Sequence, residues 1–253
     1  MVAHLLDHRS GLYNFNGEDG ADFFKDLFSD PRRRSRSWTA ADLLGYAKRP
    51  EHPPSARPGA NVAYSSTGYI VLETILEQVT GRPFAEIYRK YLFAPLGMTS
   101  AGVEGADFGA DSIVSSYARA DAGDRPGPSP FAGREAVRAD GLMNLSAGLT
   151  QYNGWARGAG AVAMSVQDLA KFMDAVRAGR VTVLADQQQE FARSKLKPDG
   201  YLGWNGGSWG IQASILFEPH RDITVIVLAN GTNVGPSSQD IARDLLNAAR
   251  ASP

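Results

Sequence analysis

The chain has 253 residues, 43% hydrophobic and 21% charged, which suits one large domain or two small ones and excludes a disordered or low-complexity polymer. Its 26 Lys and Arg balance 27 Asp and Glu, so charge gives no reason to expect nucleic acid or an anionic membrane as partner. With no cysteine there is no disulfide framework, no thiol nucleophile and no cysteine-ligated zinc. No apolar run approaches the roughly 18 residues of a membrane span, and the first residues lack the basic-then-apolar pattern of a secretory leader.

In chain order, Met1 to Asn16 is apolar with turns at Ser10-Gly11 and Asn16-Gly17, and Leu5 and Leu6 read as core residues. The basic run Arg32-Arg33-Arg34-Ser35-Arg36 reads as a solvated loop. Thr39 and Asp42 have capping-box spacing and open a short helix through Leu43, Leu44 and Tyr46. A proline-rich loop, Pro50 to Gly59, delivers the chain to Tyr64. Leu72, Ile75, Leu76 and Val79 repeat at i, i+3, i+4, i+7, which predicts an amphipathic helix over Thr67 to Thr80, closed by Gly81. Pro83 opens another, with Phe84, Ile87, Tyr88 and Tyr91 on one face, stopping before Pro95-Leu96-Gly97-Met98. Gly102 to Gly160 has weak periodicity and reads as long connecting structure.

Ser165 and Asp168 cap a helix carrying Leu169, Phe172, Met173 and Val176, closed by Gly179. Ile211 to Phe217 alternates like a strand covered on one side, and Ile223 to Ala229 is a continuous β-branched run, as in a central strand; Glu218 to Asp222 joins them as a hairpin. Ser237 and Asp240 cap a last helix through Ile241, Leu245 and Ala248. The expected fold class is α/β of the α+β type: an antiparallel sheet flanked by helices, with an inserted mostly helical region. As one domain over 1–253, it divides into helices and loops to about residue 185, then strands and a final helix from about 186 to 253.

His4 and His8 are four apart, but without a nearby Glu they make no metal motif, and no metal is assigned. There is no G-x-S-x-G elbow, no Walker loop and no dinucleotide glycine loop, so no cofactor is assigned either. Two stretches remain: Tyr64-Ser65-Ser66-Thr67-Gly68-Tyr69, and Leu202-Gly203-Trp204-Asn205-Gly206-Gly207 just before the hairpin. Each alone also reads as ordinary structure, a boundary tyrosine with an N-cap serine, or a glycine turn.

Together with their context they form an ordered set. Leu5-Leu6-Asp7-His8-Arg9-Ser10-Gly11-Leu12 resembles the LLxHxSGL stretch of the serine β-lactamase-like superfamily, which holds class C β-lactamases, D-Ala-D-Ala carboxypeptidases and family VIII carboxylesterases. Tyr64 to Tyr69 resembles its Y-S-N-x-G-Y element, Pro95 to Met98 its PLGM turn, and Gly160 to Phe172 its G-G-x-x-S-T-x-x-D-L-x-x-F helix start. Gly203 to Gly210, Glu218-Pro219 and Val225 to Asn230 resemble its closing elements.

The resemblance implies a β-lactamase/transpeptidase-like fold and a covalent serine nucleophile in an S-x-x-K motif. It implies that Tyr64 is general base and acid, and that the Gly207 N–H is one oxyanion donor. Substrate would be met by Ser66, which replaces the Asn of Y-S-N, and by Trp204, Asn205 and Gly206, which replace a cation-bearing motif with an uncharged one similar to the W-x-G of family VIII carboxylesterases. Family S-x-x-K motifs precede LLxHxSGL, which here begins at residue 5, so the nucleophile and the first strands are expected on a missing N-terminal segment. The one S-x-x-K string, Ser194-Lys195-Leu196-Lys197, comes after Tyr64 and reads as coincidence. The expected partner is a small ester or amide, cleaved by an esterase in preference to a β-lactamase or peptidase. A nucleophile-free binding protein is the competing class. An unpaired edge at Ile223 to Ala229 would favour self-association.

Overall fold

Local caps open four of the helices in the computed structural model, which describes residues 1–17, 22–119, 140–147, 149–181 and 200–251. These fall into two compact units, the first within 1–95, 101–113 and 148–163, the second within 96–100, 114–147 and 164–253. The boundary expected near residue 185 lies outside the described residues. No helix among the described residues is long and apolar enough to cross a membrane.

The first unit carries helices α1 (Val2–Leu6), α2 (Asp22–Ser29), α3 (Pro31–Ser35), α4 (Ala40–Ala47), α5 (Ser66–Thr80) and α6 (Phe84–Tyr88), with a short ribbon of strands β1 (Gly102–Val103) and β4 (Val162–Ala163). Its core is aromatic. Phe23 stands 5.0 Å from Phe15, 5.1 Å from Trp38 and 5.1 Å from Trp155, mostly edge to face. The Thr39–Asp42 capping box that opens α4 forms as expected. Gly81 closes α5 at φ 63°.

Four expectations in this unit need correcting. None of α1 is buried and Leu6 is 39% exposed, so Leu5 and Leu6 are not core. The basic run is a helix, α3, because the Asp30 side chain caps it by accepting the Arg32 N–H at 2.9 Å; Arg36 then stacks 3.8 Å above Trp38. The apolar stripe of α5 is not its buried face: Leu76 and Val79 are exposed, Val79 at 80%, and Leu72 and Ile75 are only half-buried, whereas Thr67, Ile70 and Glu73 are buried. Past α6 a π-helical turn at Arg89–Phe93 changes the register, burying Phe93 and leaving Tyr91 outside.

In the second unit, β5 (Leu202–Ser208), β6 (Ile211–Glu218) and β7 (Ile223–Ala229) form an antiparallel sheet in that order. A smaller sheet joins β2 (Tyr117–Arg119), β3 (Leu142–Asn144) and β8 (Gly231–Thr232). Helices α7 (Val166–Arg177) and α8 (Ser238–Ala251) pack against β7. The β7 run is therefore not central among the described residues. It pairs only with β6, and its unbroken apolar character is explained by helix cover rather than by a second strand. The Ser237–Asp240 cap forms, but α8 buries Ala242 and Leu246, with Leu245 49% exposed, so its buried face is turned from the expected one. Gly210, at φ 70° between β5 and β6, has no room for a side chain: a Cβ would lie 2.8 Å from the Tyr117 nitrogen.

The PLGM turn and the start of α7 meet within this unit. Asp168 accepts from the Ser100 N–H and hydroxyl, both at 2.6 Å, and from Lys171 at 2.7 Å; Lys171 also donates to the Gly97 carbonyl at 2.6 Å. Burial opposes the Asp168 charge, but the Lys171 and Ser100 hydrogen bonds outweigh it and lower the carboxyl to about 2. The sequence reading gave Asp168 to its own cap; here Ser165 still caps its N–H at 3.2 Å, while its carboxylate serves Ser100.

Candidate active site

Tyr64 stands immediately before α5, in the first unit, with 66% of its surface exposed. The N-terminus of α5 is held from outside the helix. Asn14 Oδ1 accepts the Ser66 N–H at 2.9 Å, and Thr67 donates its hydroxyl to the Tyr13 carbonyl at 2.6 Å while accepting the Phe15 N–H at 3.0 Å. Ser65 is the N-cap residue, but its side chain makes no capping bond. Ser66 is 2% exposed, so the residue matched to the substrate-facing Asn lies beneath the surface that carries Tyr64.

About two turns further along α5, Glu73 is 1% exposed and paired with Arg157, and it also accepts the Gly158 N–H at 2.9 Å. Burial raises its carboxyl pKa, outweighing the opposite pulls of Arg157 and the Gly158 amide. Arg157 has φ 45°, a conformation uncommon outside glycine, so this ion pair holds strained backbone in place. Glu104, also buried, accepts the N–H groups of Tyr152 and Asn153, and burial raises it too. The two carboxylates pin the stretch from 152 to 158 to the rest of the unit. No periodicity pointed to either.

The second candidate stretch is strand β5, in the second unit. Trp204 pairs with Ile215, Asn205 with Ser214, Gly206 with Ala213 and Gly207 with Gln212. Trp204 is half-buried, and Asn205, Gly206 and Gly207 are exposed. A Cβ on Gly206 would meet nothing within 4 Å, so the fold does not require glycine there. A bare, exposed strand backbone suits close approach by a ligand. On Gly207 a Cβ would lie 3.4 Å from the Ile211 carbonyl, an ordinary contact. β5 pairs with β6 alone among the described residues, which leaves it at the edge of its sheet.

Tyr64 thus lies two residues before the start of α5 at Ser66, and Trp204 to Gly207 lie on one strand. The string Ser194 to Lys197 lies outside the described residues. Sequence reasoning missed His8, whose ring stands 4.5 Å from that of Tyr64. It was set aside as a metal ligand, although its place beside Ser10-Gly11 in a matched stretch was the available signal. Among the described residues no group of three or more His, Cys, Asp or Glu is arranged to hold a metal.

Penicillin-binding protein 4* of Bacillus subtilis (strain 168) is 29% identical over 108 residues, 40% of this chain and 21% of that protein, so the chain spans about a fifth of that relative. The D-amino acid amidase of Ochrobactrum anthropi SV3 superposes with a TM-score of 0.74 at 21% identity, over 99% of this chain and 73% of that one. The penicillin binding protein of Bacillus halodurans gives 0.69 at 20% identity, over 98% and 73%. The hydrolase EstCE1 gives 0.63 at 20% identity, over 96% and 70%. These structures share the β-lactamase/transpeptidase fold with the chain. The family model described as Beta-lactamase matches residues 1–250, and the chain belongs to that family of serine hydrolases.

Proposed function

We propose that the chain is part of a carboxylesterase working through a covalent acyl-serine, with the nucleophile carried outside residues 1–253. The observation that supports the esterase reading is the second candidate stretch, on β5. Trp204-Asn205-Gly206 puts no cation on the exposed edge strand, where a β-lactam or peptide carboxylate would want one.

In this reading the serine oxygen attacks the ester carbonyl carbon and Tyr64 takes the serine proton. The Gly207 N–H donates to the developing oxyanion. The alcohol leaves with the proton from Tyr64, and water, activated by Tyr64, then releases the acid and restores the serine. Trp204, Asn205 and Gly206 line the acyl or alcohol group. Ser66 takes part on the motif match alone, and at 2% exposure it is the assignment that Ser66→Ala tests most sharply.

The D-amino acid amidase likeness favours a second reading, an amide in place of the ester, by the same acyl-enzyme route. β-Lactam and D-Ala-D-Ala substrates, and a nucleophile-free binding protein, are the remaining alternatives.

The test uses p-nitrophenyl acetate and butyrate. The 253-residue chain is expected to show no turnover above background, since losing a nucleophile removes several orders of magnitude. Turnover that disappears in Ser194→Ala would overturn this. In a protein that carries the upstream S-x-x-K, Tyr64→Phe should lower kcat by roughly 10²–10⁴ with little change in melting. Near-native activity would remove Tyr64 from the mechanism. Self-association through the edge of β7 that pairs with no strand among the described residues is part of the same proposal, and a stable monomer in size-exclusion chromatography would contradict it.

A further inference from the structure

We propose that His8 is a positioning residue that holds Tyr64 in its working orientation. The inference rests on the reading of Tyr64 as the acid–base group. His8 grips the chain on both sides of that residue. Its carbonyl accepts the Ala63 N–H at 2.7 Å, and its Nδ1 accepts the Ser65 N–H at 3.2 Å. Its ring lies 4.5 Å from the Tyr64 ring at 34°, and 5.2 Å from the Tyr69 ring at 39°. Tyr69 is itself anchored, donating its hydroxyl to the Leu6 carbonyl at 3.1 Å.

The backbone of His8 is at φ 55°, a left-handed conformation uncommon for a residue other than glycine. Strain of this kind persists only where surroundings impose it, and here it turns one residue so that its carbonyl and its ring nitrogen both reach the Tyr64 segment. Tyr64 is 66% exposed, so packing alone does not fix its ring. An acid–base group free to change rotamer spends little time at the reacting atoms, and support from a neighbouring residue restores that fraction. Because Nδ1 accepts a hydrogen bond, it carries no proton in the gripping state.

The experiment is nuclear magnetic resonance on the isotopically labelled 253-residue chain. In the unsubstituted protein, His8 Nδ1 should show an unprotonated nitrogen shift and a through-hydrogen-bond coupling to the Ser65 amide. A proton on Nδ1 at neutral pH overturns the proposal without any substitution. In His8→Asn the side-chain oxygen replaces Nδ1 and the left-handed backbone is tolerated; in His8→Ala the acceptor is lost. Ser65 amide exchange should rise at least about 10-fold in His8→Ala and stay within about 3-fold in His8→Asn, as expected for loss or retention of one hydrogen bond. Couplings of the Tyr64 side chain should report one rotamer in the unsubstituted chain and an average in His8→Ala. A single Tyr64 rotamer in His8→Ala overturns the proposal. Should that variant fail to fold, the coupling in the unsubstituted chain and the Asn variant decide it. Ester turnover untouched by Tyr64→Phe would remove the catalytic reading and leave these spectra unchanged, so the two failures are distinguishable.

Discussion

Helices α5 and α8 are of similar length, 15 and 14 residues, yet they bury opposite kinds of surface. α8 lays Ala242 and Leu246 against Tyr201, Leu216 and Val225, an apolar seam over β6 and β7. α5 buries Ser66, Thr67, Gly68, Ile70 and Glu73, and leaves Val79 and Leu76 toward solvent. The first is held by removal of apolar area from water, which is non-directional and tolerant of small shifts. The second is held by directed polar bonds to Tyr13, Asn14, Phe15 and Arg157. Directed bonds fix position more closely than apolar contact does, and α5 is the helix that begins beside Tyr64.

The largest way to break this contrast is to remove one half of the buried ion pair. Glu73→Ala should destabilise the chain by up to about 3–5 kcal/mol, because it takes the buried acceptor away from both Arg157, which keeps only the more distant Glu77 carboxylate at 3.8 Å, and the Gly158 N–H. The apolar pair Glu73→Leu with Arg157→Met should lose clearly less than the sum of the single changes. Denaturant melts of the four proteins close the cycle. Additive losses would mean that the two side chains do not act together.

For α8 the matching change is Leu246→Ala, at a fully buried position. It should cost about 2–5 kcal/mol through lost transfer energy and the cavity left behind. A loss below about 1 kcal/mol would mean that α8 is not held by its apolar seam. Next in size is Asp168→Asn, expected to cost about 1–3 kcal/mol by weakening the bonds to Ser100 and Lys171. The sign with pH follows from the lowered carboxyl. Folded, it titrates near 2 instead of its ordinary 3.8, so its contribution is present above about pH 4 and fades as pH falls toward 2. Thermal melts across that window should converge for the two proteins. A difference that persists unchanged at pH 2 would assign the cost to shape and not to charge.

What could be read from the sequence was mostly local. The caps at Thr39, Ser165 and Ser237 needed only a partner three residues on, and all three form. The hairpin of β6 and β7 was visible because its two runs are separated by one short turn. The faces of the helices were not, since periodicity reports apolar residues and not what covers them. On α5 the deciding partner, Arg157, is 84 residues from Glu73. The supports of Tyr64 were hidden for the same reason: Asn14 and His8 lie 52 and 57 residues from the amides they accept. Trp204 to Gly207 stood out as a contiguous stretch, but that it is a strand paired with β6, and the freedom around Gly206, required the neighbouring strand.

The smallest expected effect tests the same contrast most narrowly. Val79 belongs to the stripe that makes α5 read as amphipathic, and a helix packed on that stripe would lose much of its stability in Val79→Ser. Here the side chain is 80% exposed, so little apolar area returns to water when it is replaced. Serine and valine also have similar helix propensity, which leaves no large backbone term. The melt should therefore move by no more than about 0.5 kcal/mol in either direction, the usual range for a surface change. A loss above about 1.5 kcal/mol would put the buried face of α5 back on its apolar stripe, and Glu73 with Arg157 would no longer explain how the start of that helix is held.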